Sequence, residues 1–168
     1  MSAFGIDSSD GQPIPAPRAD APSYRLRQEY IAMSTATRDL FDRYHACWVD
    51  RDPDRIVALH TEDSIFHLHS GQEPARGREA IRQAAAGTFA LVPDLVFHLV
   101  SLRVGEDFWV VQWQLRGTSA TGNPVAVDLA DYVLVEDGAV KEKHSYVDGV
   151  AMQAAVGAAV LDRSAPAR

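Results

Sequence analysis

GNPVAVDLADYVLVEDGAVKEKHSYVD, residues 122–148, reads as two strands joined by a turn. Two apolar runs, Val125 to Val135 and Val140 to Val147, flank Glu136-Asp137-Gly138. An Asp-Gly connection between β-rich segments is a strong local hairpin signal. Alternation along the first run puts Val125, Val127, Leu129, Asp131, Val133 and Val135 on one face. Asp131 therefore interrupts an otherwise aliphatic face. A carboxyl group held there must find a partner or become neutral, because burial disfavours the charged form.

Outward from the hairpin, two more strands precede it, Leu95 to Val104 and Phe108 to Thr118. In the second, Trp109, Val111, Trp113 and Leu115 alternate with Val110, Gln112, Gln114 and Arg116. Before them, Gly77-Arg78-Glu79 opens an alanine-rich helix that Pro93 stops. Ser64 to His69 predicts a short strand with Phe66 and Leu68 on one side and Ile65, His67 and His69 on the other. Asp52-Pro53 caps a short helix. From Thr35 to Val49, Leu40, Phe41, Tyr44, Cys47 and Trp48 recur at three- and four-residue spacing, giving a helix with one buried stripe. Residues 1–33, with GQPIPAPRADAPS, are expected to form a flexible Pro-rich leader that includes a short amphipathic turn, Tyr24 to Ile31. The folded domain is expected over 34–161, ending in a helix or arm from Val150 to Leu161, with 162–168 as a tail. Helices followed by consecutive long strands give an α+β class, an antiparallel sheet covered on one side and curled around a pocket.

Composition narrows the function. The 168 residues suffice for one domain with a core. A formal net charge of -7 without a Lys/Arg cluster argues against a nucleic-acid partner. The one cysteine, Cys47, fits a buried thiol in a reducing compartment, and no apolar run is long enough to span a bilayer. A cytoplasmic protein without a membrane partner is expected. His60, His98 and His144 lack a metal-ligand spacing and read as surface or satisfied histidines, so no metal is expected. Trp48, Trp109 and Trp113 follow the helix and strand periods and read as core or interface.

Four short stretches carry a family resemblance from about Thr37 to Asp148: Ala58-Leu59-His60-Thr61-Glu62-Asp63-Ser64, Gly77-Arg78-Glu79-Ala80-Ile81, Gly122-Asn123-Pro124 and Glu136-Asp137-Gly138-Ala139-Val140. In order and spacing they resemble the nuclear transport factor 2-like superfamily, which includes ketosteroid isomerase and the SnoaL-like polyketide cyclases. The resemblance implies a cone-shaped, curved, mostly antiparallel sheet wrapped around three helices. Against ketosteroid isomerase, Tyr44 falls on the tyrosine that donates to the substrate oxyanion. Asp131 falls on the second donor, an aspartic acid kept protonated. The general-base position falls on Leu68. Strict alternation turns His67 and His69 away from that face, and a bulge would bring one inward for acid–base work. A second resemblance, to limonene epoxide hydrolase, puts Asp148 on a water-activating aspartate. Asp148 reads equally as a cap on the carboxy-terminal helix.

Two functions follow. One is a cofactor-independent proton-transfer enzyme, of isomerase, dehydratase or cyclase type, acting on a small, largely apolar carbonyl or polyketide-like compound. Its catalytic candidates are Tyr44, Asp131, His67, His69 and Asp148, in a pocket lined by Trp48, Phe66, Leu68, Gln112, Gln114, Leu129 and Tyr146. The other is a non-catalytic binding or dimerisation module of the same fold. Under either, a homodimer is expected through the sheet's second face, with Val111, Trp113 and Tyr132 or their neighbours.

Overall fold

A computed structural model describes residues 22–157, the side chains of 22–34 excepted. The chain divides into two units, Met1–Ala32 and Met33–Arg168, and every strand belongs to the second. The elements run α1 (Pro22–Val49), α2 (Pro53–Ala58), β1 (His60–Leu68), β2 (Ala75–Arg76), α3 (Gly77–Leu91), β3 (Val96–Val104), β4 (Phe108–Thr118), β5 (Pro124–Glu136), β6 (Ala139–Val147) and α4 (Gly149–Val156). Six strands form one open mixed sheet in the order β2-β1-β6-β5-β4-β3. All neighbours are antiparallel except β1 and β6, which are parallel. This is the α+β class expected from the order of elements, with the open curved sheet that the resemblance implies.

Three boundaries differ from the sequence reading. Helix α1 begins at Pro22 rather than Thr35, so the stretch from Tyr24 to Ile31, expected as a short amphipathic turn, is part of a longer helix. Proline is well suited to a first helical turn, where its missing N–H leaves no hydrogen bond unmade. Residues 1–21 of the expected leader lie outside the described residues. Strand β1 begins at His60 rather than Ser64. Helix α4 ends at Val156, where Gly157 takes a positive φ of 83°; the rest of the expected arm and the tail lie outside the described residues.

The core forms where the α1 stripe meets one face of the sheet. Leu40, Phe41, Tyr44, Cys47 and Trp48 are buried, as their spacing requires. They share a cluster with Trp109, Val111, Trp113 and Leu115 of β4 and Val125, Val127, Leu129 and Val133 of β5. Each fully buried large side chain contributes roughly 1.5–3 kcal/mol. Phe41 meets Trp109 edge-on at 5.7 Å between ring centres. Val111 and Trp113 are thus core residues and cannot form the outer dimer surface expected of them. Alternation leaves Gln112 and Gln114 on the opposite face. There Gln112 accepts from Ser101 Oγ and Gln114 accepts from the Arg116 guanidinium.

The β5–β6 hairpin closes through Asp137 and Gly138, both at positive φ (51° and 73°), with Glu136 facing Ala139. A two-residue loop with positive φ at both positions matches the right-handed strand twist, which explains the Asp-Gly signal. The register then slips. Val135 faces Val140, but Leu134 faces Glu142, so Lys141 is the extra residue of a β-bulge. Beyond it Lys143, Ser145 and Val147 take the inner face, and Glu142, His144 and Tyr146 the outer one.

Candidate active site

Between α1, α4 and the inner face of the sheet lies a cavity of about 80 Å³. Aromatic and aliphatic side chains make most of its wall: Phe41, Trp48, Phe66, Trp109, Trp113 and Leu129 among them. The polar groups converge from two strands and two helices: Asp131, Lys143, Ser145, Tyr44, His45 and Thr88. A mostly apolar cleft with a few polar groups is the usual form of a small-molecule site. The volume is below that of a cavity known to take one benzene. A larger ligand therefore requires side chains to move, and Met152 of α4 is the adaptable part of the wall.

Asp131 is held by three donors. Lys143 Nζ lies 2.6 Å and Ser145 Oγ 2.5 Å from Oδ1, and Trp113 Nε1 donates to Oδ2 at 3.1 Å. Ser145 is its cross-strand partner on β6, Val111 its partner on β4, and Lys143 stands opposite Val133. The Lys143 and Asp131 side chains are only 6% and 9% exposed, so the ion pair lies essentially out of water. The ammonium also lies 5.1 Å from the centre of the Phe66 ring and 5.5 Å from that of Trp48. Burial pulls the Lys143 ammonium below the usual lysine range, and Asp131 opposes that pull. A carboxylate ringed by donors is an acceptor, which does not fit the protonated donor implied for Asp131.

Tyr44 does not reach Asp131's donors; its hydroxyl belongs to a separate chain. Tyr44 Oη is 2.9 Å from His60 Nε2, and His60 Nδ1 is 3.0 Å from Ser64 Oγ. His60 and Ser64 are fully buried, and Arg78 clamps the His60 carbonyl at 2.6 and 3.0 Å. Burial, with the Lys143 and Arg78 charges, pushes the His60 imidazole down to about 3. It is therefore neutral at pH 7. In the tautomer with Ser64 donating to Nδ1, the Nε2–H donates to Tyr44 and the phenol O–H is free for the cavity; in the other tautomer Tyr44 donates to Nε2. Burial drives the Tyr44 phenol well above its ordinary range, so it acts as a donor and not as a phenolate. Trp48 Nε1 is a buried donor with no acceptor in good hydrogen-bond geometry among the described residues, and it lies close enough to the Tyr44 hydroxyl to offset part of the effect of burial there. His45 is half-buried and stacks on Trp113 at 4.7 Å, and burial lowers its pKa.

Of the expected site residues, Tyr44, Asp131, Trp48, Phe66, Leu68 and Leu129 line the cavity. The others do not. His67 and His69 lie on the outer face of β1, where no bulge turns either inward, and each approaches His144. Tyr146 is 53% exposed because the Lys141 bulge reverses the face it would otherwise occupy. Gln112 and Tyr146 line an open groove outside the cavity, and Gln114 lines neither. Asp148 edges the same groove and caps α4, accepting from Val150 N and Ala151 N at 3.1 and 3.0 Å. Sequence reasoning misses Lys143, Ser145, His45 and His60. Lys143 and Ser145 alternate, but counting from the turn without the bulge points them to solvent. His45 adjoins Tyr44, just off the helix stripe.

Two outcomes follow. Lys143→Met leaves a buried carboxylate without its cation and is expected to cost about 3–5 kcal/mol of stability by urea denaturation. Adding Asp131→Leu is expected to restore most of that loss. For His60, a folded pKa near 3 lies below the unfolded 6.5, so the unfolded chain binds the extra proton between those values. Stability then falls as pH drops below 6.5, by on the order of a few kcal/mol for this residue. Denaturation midpoints across pH 4–7 should show a shallower fall for His60→Gln than for the parent.

The SnoaL-like domain family matches residues 41–143. Among solved structures, a SnoaL-like protein from Jannaschia sp. CCS1 named as a candidate polyketide cyclase superposes with a TM-score of 0.67 at 22% identity, over 74% of this chain and 93% of that one. A ketosteroid isomerase-like protein from Catenulispora acidiphila, in complex with trimethylamine, gives 0.65 at 20% identity, over 72% and 94%. A nuclear transport factor 2-like protein from Burkholderia xenovorans gives 0.66 at 14% identity, over 73% and 97%. No curated protein sequence matches the chain. At these identities the solved structures speak to the fold, and with the match over residues 41–143 they place this chain in the SnoaL-like domain family.

Proposed function

We propose that the cavity carries out cofactor-independent proton transfer on a small, largely apolar carbonyl compound, in the manner of an isomerase, dehydratase or cyclase. The observation behind this reading is the ion pair Asp131–Lys143, buried at the wall of an aromatic cavity. An apolar wall holds the carbon skeleton by burial, and the polar groups fix the carbonyl. Asp131, fixed as an acceptor, takes the proton from the carbon beside the carbonyl. The electron pair of that C–H bond forms a C=C bond and the carbonyl π pair moves onto oxygen, where Lys143, Tyr44 or Trp48 Nε1 stabilises the enolate charge. Asp131 returns the proton at a second carbon, or His45, on the same wall, exchanges it with solvent before Asp131 returns a proton to the first carbon. Preorganised donors in a site without water are worth about 3 kcal/mol each in such a step. Asp131 thereby moves from the donor role implied by resemblance to the base role left vacant at Leu68. Epoxide opening by Asp148 gains no support, because that carboxylate is engaged in capping α4 and lies outside the cavity.

Non-catalytic ligand binding is the second reading, favoured by the small cavity and by the full set of donors already on Asp131. Exchange of α-protons in D2O, followed by NMR over a panel of small cyclic ketones, separates the two whatever the natural substrate is. Exchange that slows on the order of a hundredfold in Asp131→Asn, and by at least tenfold in Tyr44→Phe, is expected. Ketones that bind but do not exchange would leave the binding reading standing.

A homodimer through the outer face of the sheet is the assembly we propose. The described residues expose Val100, Tyr132 and Tyr146 there, all more than a third accessible. Sedimentation is expected to give a dimer at micromolar concentration, and a monomer would refute it. A buried Cys47 as the one cysteine, with no helix among the described residues long and apolar enough to cross a membrane, supports a cytoplasmic setting.

A further inference from the structure

We propose that His67, His69 and His144 form a divalent transition-metal site, suited to Zn²⁺, on the outer face of the sheet. The three imidazoles offer ligand nitrogens that all lie within 4.8 Å of one another. Their convergence follows from topology. β1 and β6 are parallel neighbours with His67 directly opposite His144, and His69 follows on the same face two residues on, its N–H bonded to the Ser145 carbonyl. His69 Nε2 and His144 Nδ1 are already 3.1 Å apart. Tetrahedral Zn²⁺ with bonds of about 2.0–2.1 Å needs ligand nitrogens about 3.4 Å apart, so rotamer adjustments of roughly 1 Å suffice.

Two of the rings are oriented as metal ligands usually are. Glu142 accepts from His144 Nε2 at 3.1 Å, which leaves Nδ1 as the unprotonated nitrogen facing His69. The Gln72 carbonyl accepts from His67 Nε2 at 3.2 Å, which leaves its Nδ1 free. A carboxylate or carbonyl on the far nitrogen fixes the tautomer and raises ligand basicity. Tyr146 stacks flat on His69, 4.2 Å between centres and 4° between planes, and limits its rotation. All three rings are half-buried, so an ion reaches them from solvent. Three imidazoles without a carboxylate ligand favour Zn²⁺, Cu²⁺, Ni²⁺ or Co²⁺ over Mg²⁺ or Ca²⁺, and leave a fourth position for water or another ligand. This site is independent of the cavity, which faces the other side of the sheet.

Titration calorimetry of the chelator-treated full chain with ZnCl2 at pH 7.5 tests it. One Zn²⁺ per chain is expected, with affinity at least tenfold weaker in His69→Gln and in His144→Gln and unchanged in His98→Gln, an exposed histidine on β3. Co²⁺ in place of Zn²⁺ should give the intense visible bands of a tetrahedral site, lost in the same two variants. Circular dichroism checks that each variant is folded. Absence of saturable binding would overturn the proposal. So would binding that the two variants leave unchanged, or one Zn²⁺ per two chains.

Discussion

Lys141, the extra residue on β6, decides what each face of the sheet can do. A two-residue hairpin closed at Asp137-Gly138 would, without a slip, put His144 opposite Asp131 and turn Glu142, His144 and Tyr146 inward. The bulge moves the register by one residue, so Ser145 stands opposite Asp131 and Lys143 comes to its side. Because side chains alternate, a one-residue slip reverses every residue beyond it. The same slip sends His144 outward to His67 and His69. Lys141 itself stays near solvent, where it pairs with Asp63 and Glu136. One inserted residue thus supplies the cavity with a cation and the outer face with an imidazole.

Burying Asp131 and Lys143 together is costly in desolvation, and a hydrophobic pair of the same volume is often as stable or more so. The fold tolerates the pair because both carboxylate oxygens are hydrogen-bonded and the ammonium has a second oxygen and two aromatic faces. The aromatic wall keeps water away, which strengthens each of those contacts. The Tyr44–His60–Ser64 chain obeys the same rule. Its three polar side chains are buried and each finds a partner. Trp48 Nε1 and Ser70 Oγ are the buried side-chain polar atoms without a partner in good hydrogen-bond geometry among the described residues, and Trp48 is the one on the cavity wall.

Most of the fold is legible in the sequence because it rests on short-range patterns. The α1 stripe, the alternation of β4 and β5, the stop before Pro93 and the Asp137-Gly138 turn all follow from periodicity or from one residue's backbone preference. Asp131 and Tyr44 stand out the same way, as polar groups on apolar faces. Sequence leaves Asp148 between catalysis and capping, and its hydrogen bonds to Val150 and Ala151 show the cap. Gln112, Gln114 and Tyr146 are expected in the pocket, yet alternation in β4 and the bulge in β6 carry them outward. Val111 and Trp113 are expected at a dimer surface, yet they share the face of Trp109 and Leu115, which the core fills.

The sequence by itself determined the α+β class, the helix stripe, the strand faces up to the turn, and the presence of a carboxyl group among aliphatic residues. Those are properties of a chain read a few residues at a time. Only the tertiary structure decided that Asp131 meets Lys143 rather than Tyr44, that His60 stands behind Tyr44, and that three histidines from parallel strands converge. Parallel pairing of β1 with β6 joins residues some 75 positions apart in the chain, as in the contact of His69 with His144. No local pattern encodes that pairing, and a single bulge reverses the faces on which any such pattern would rely.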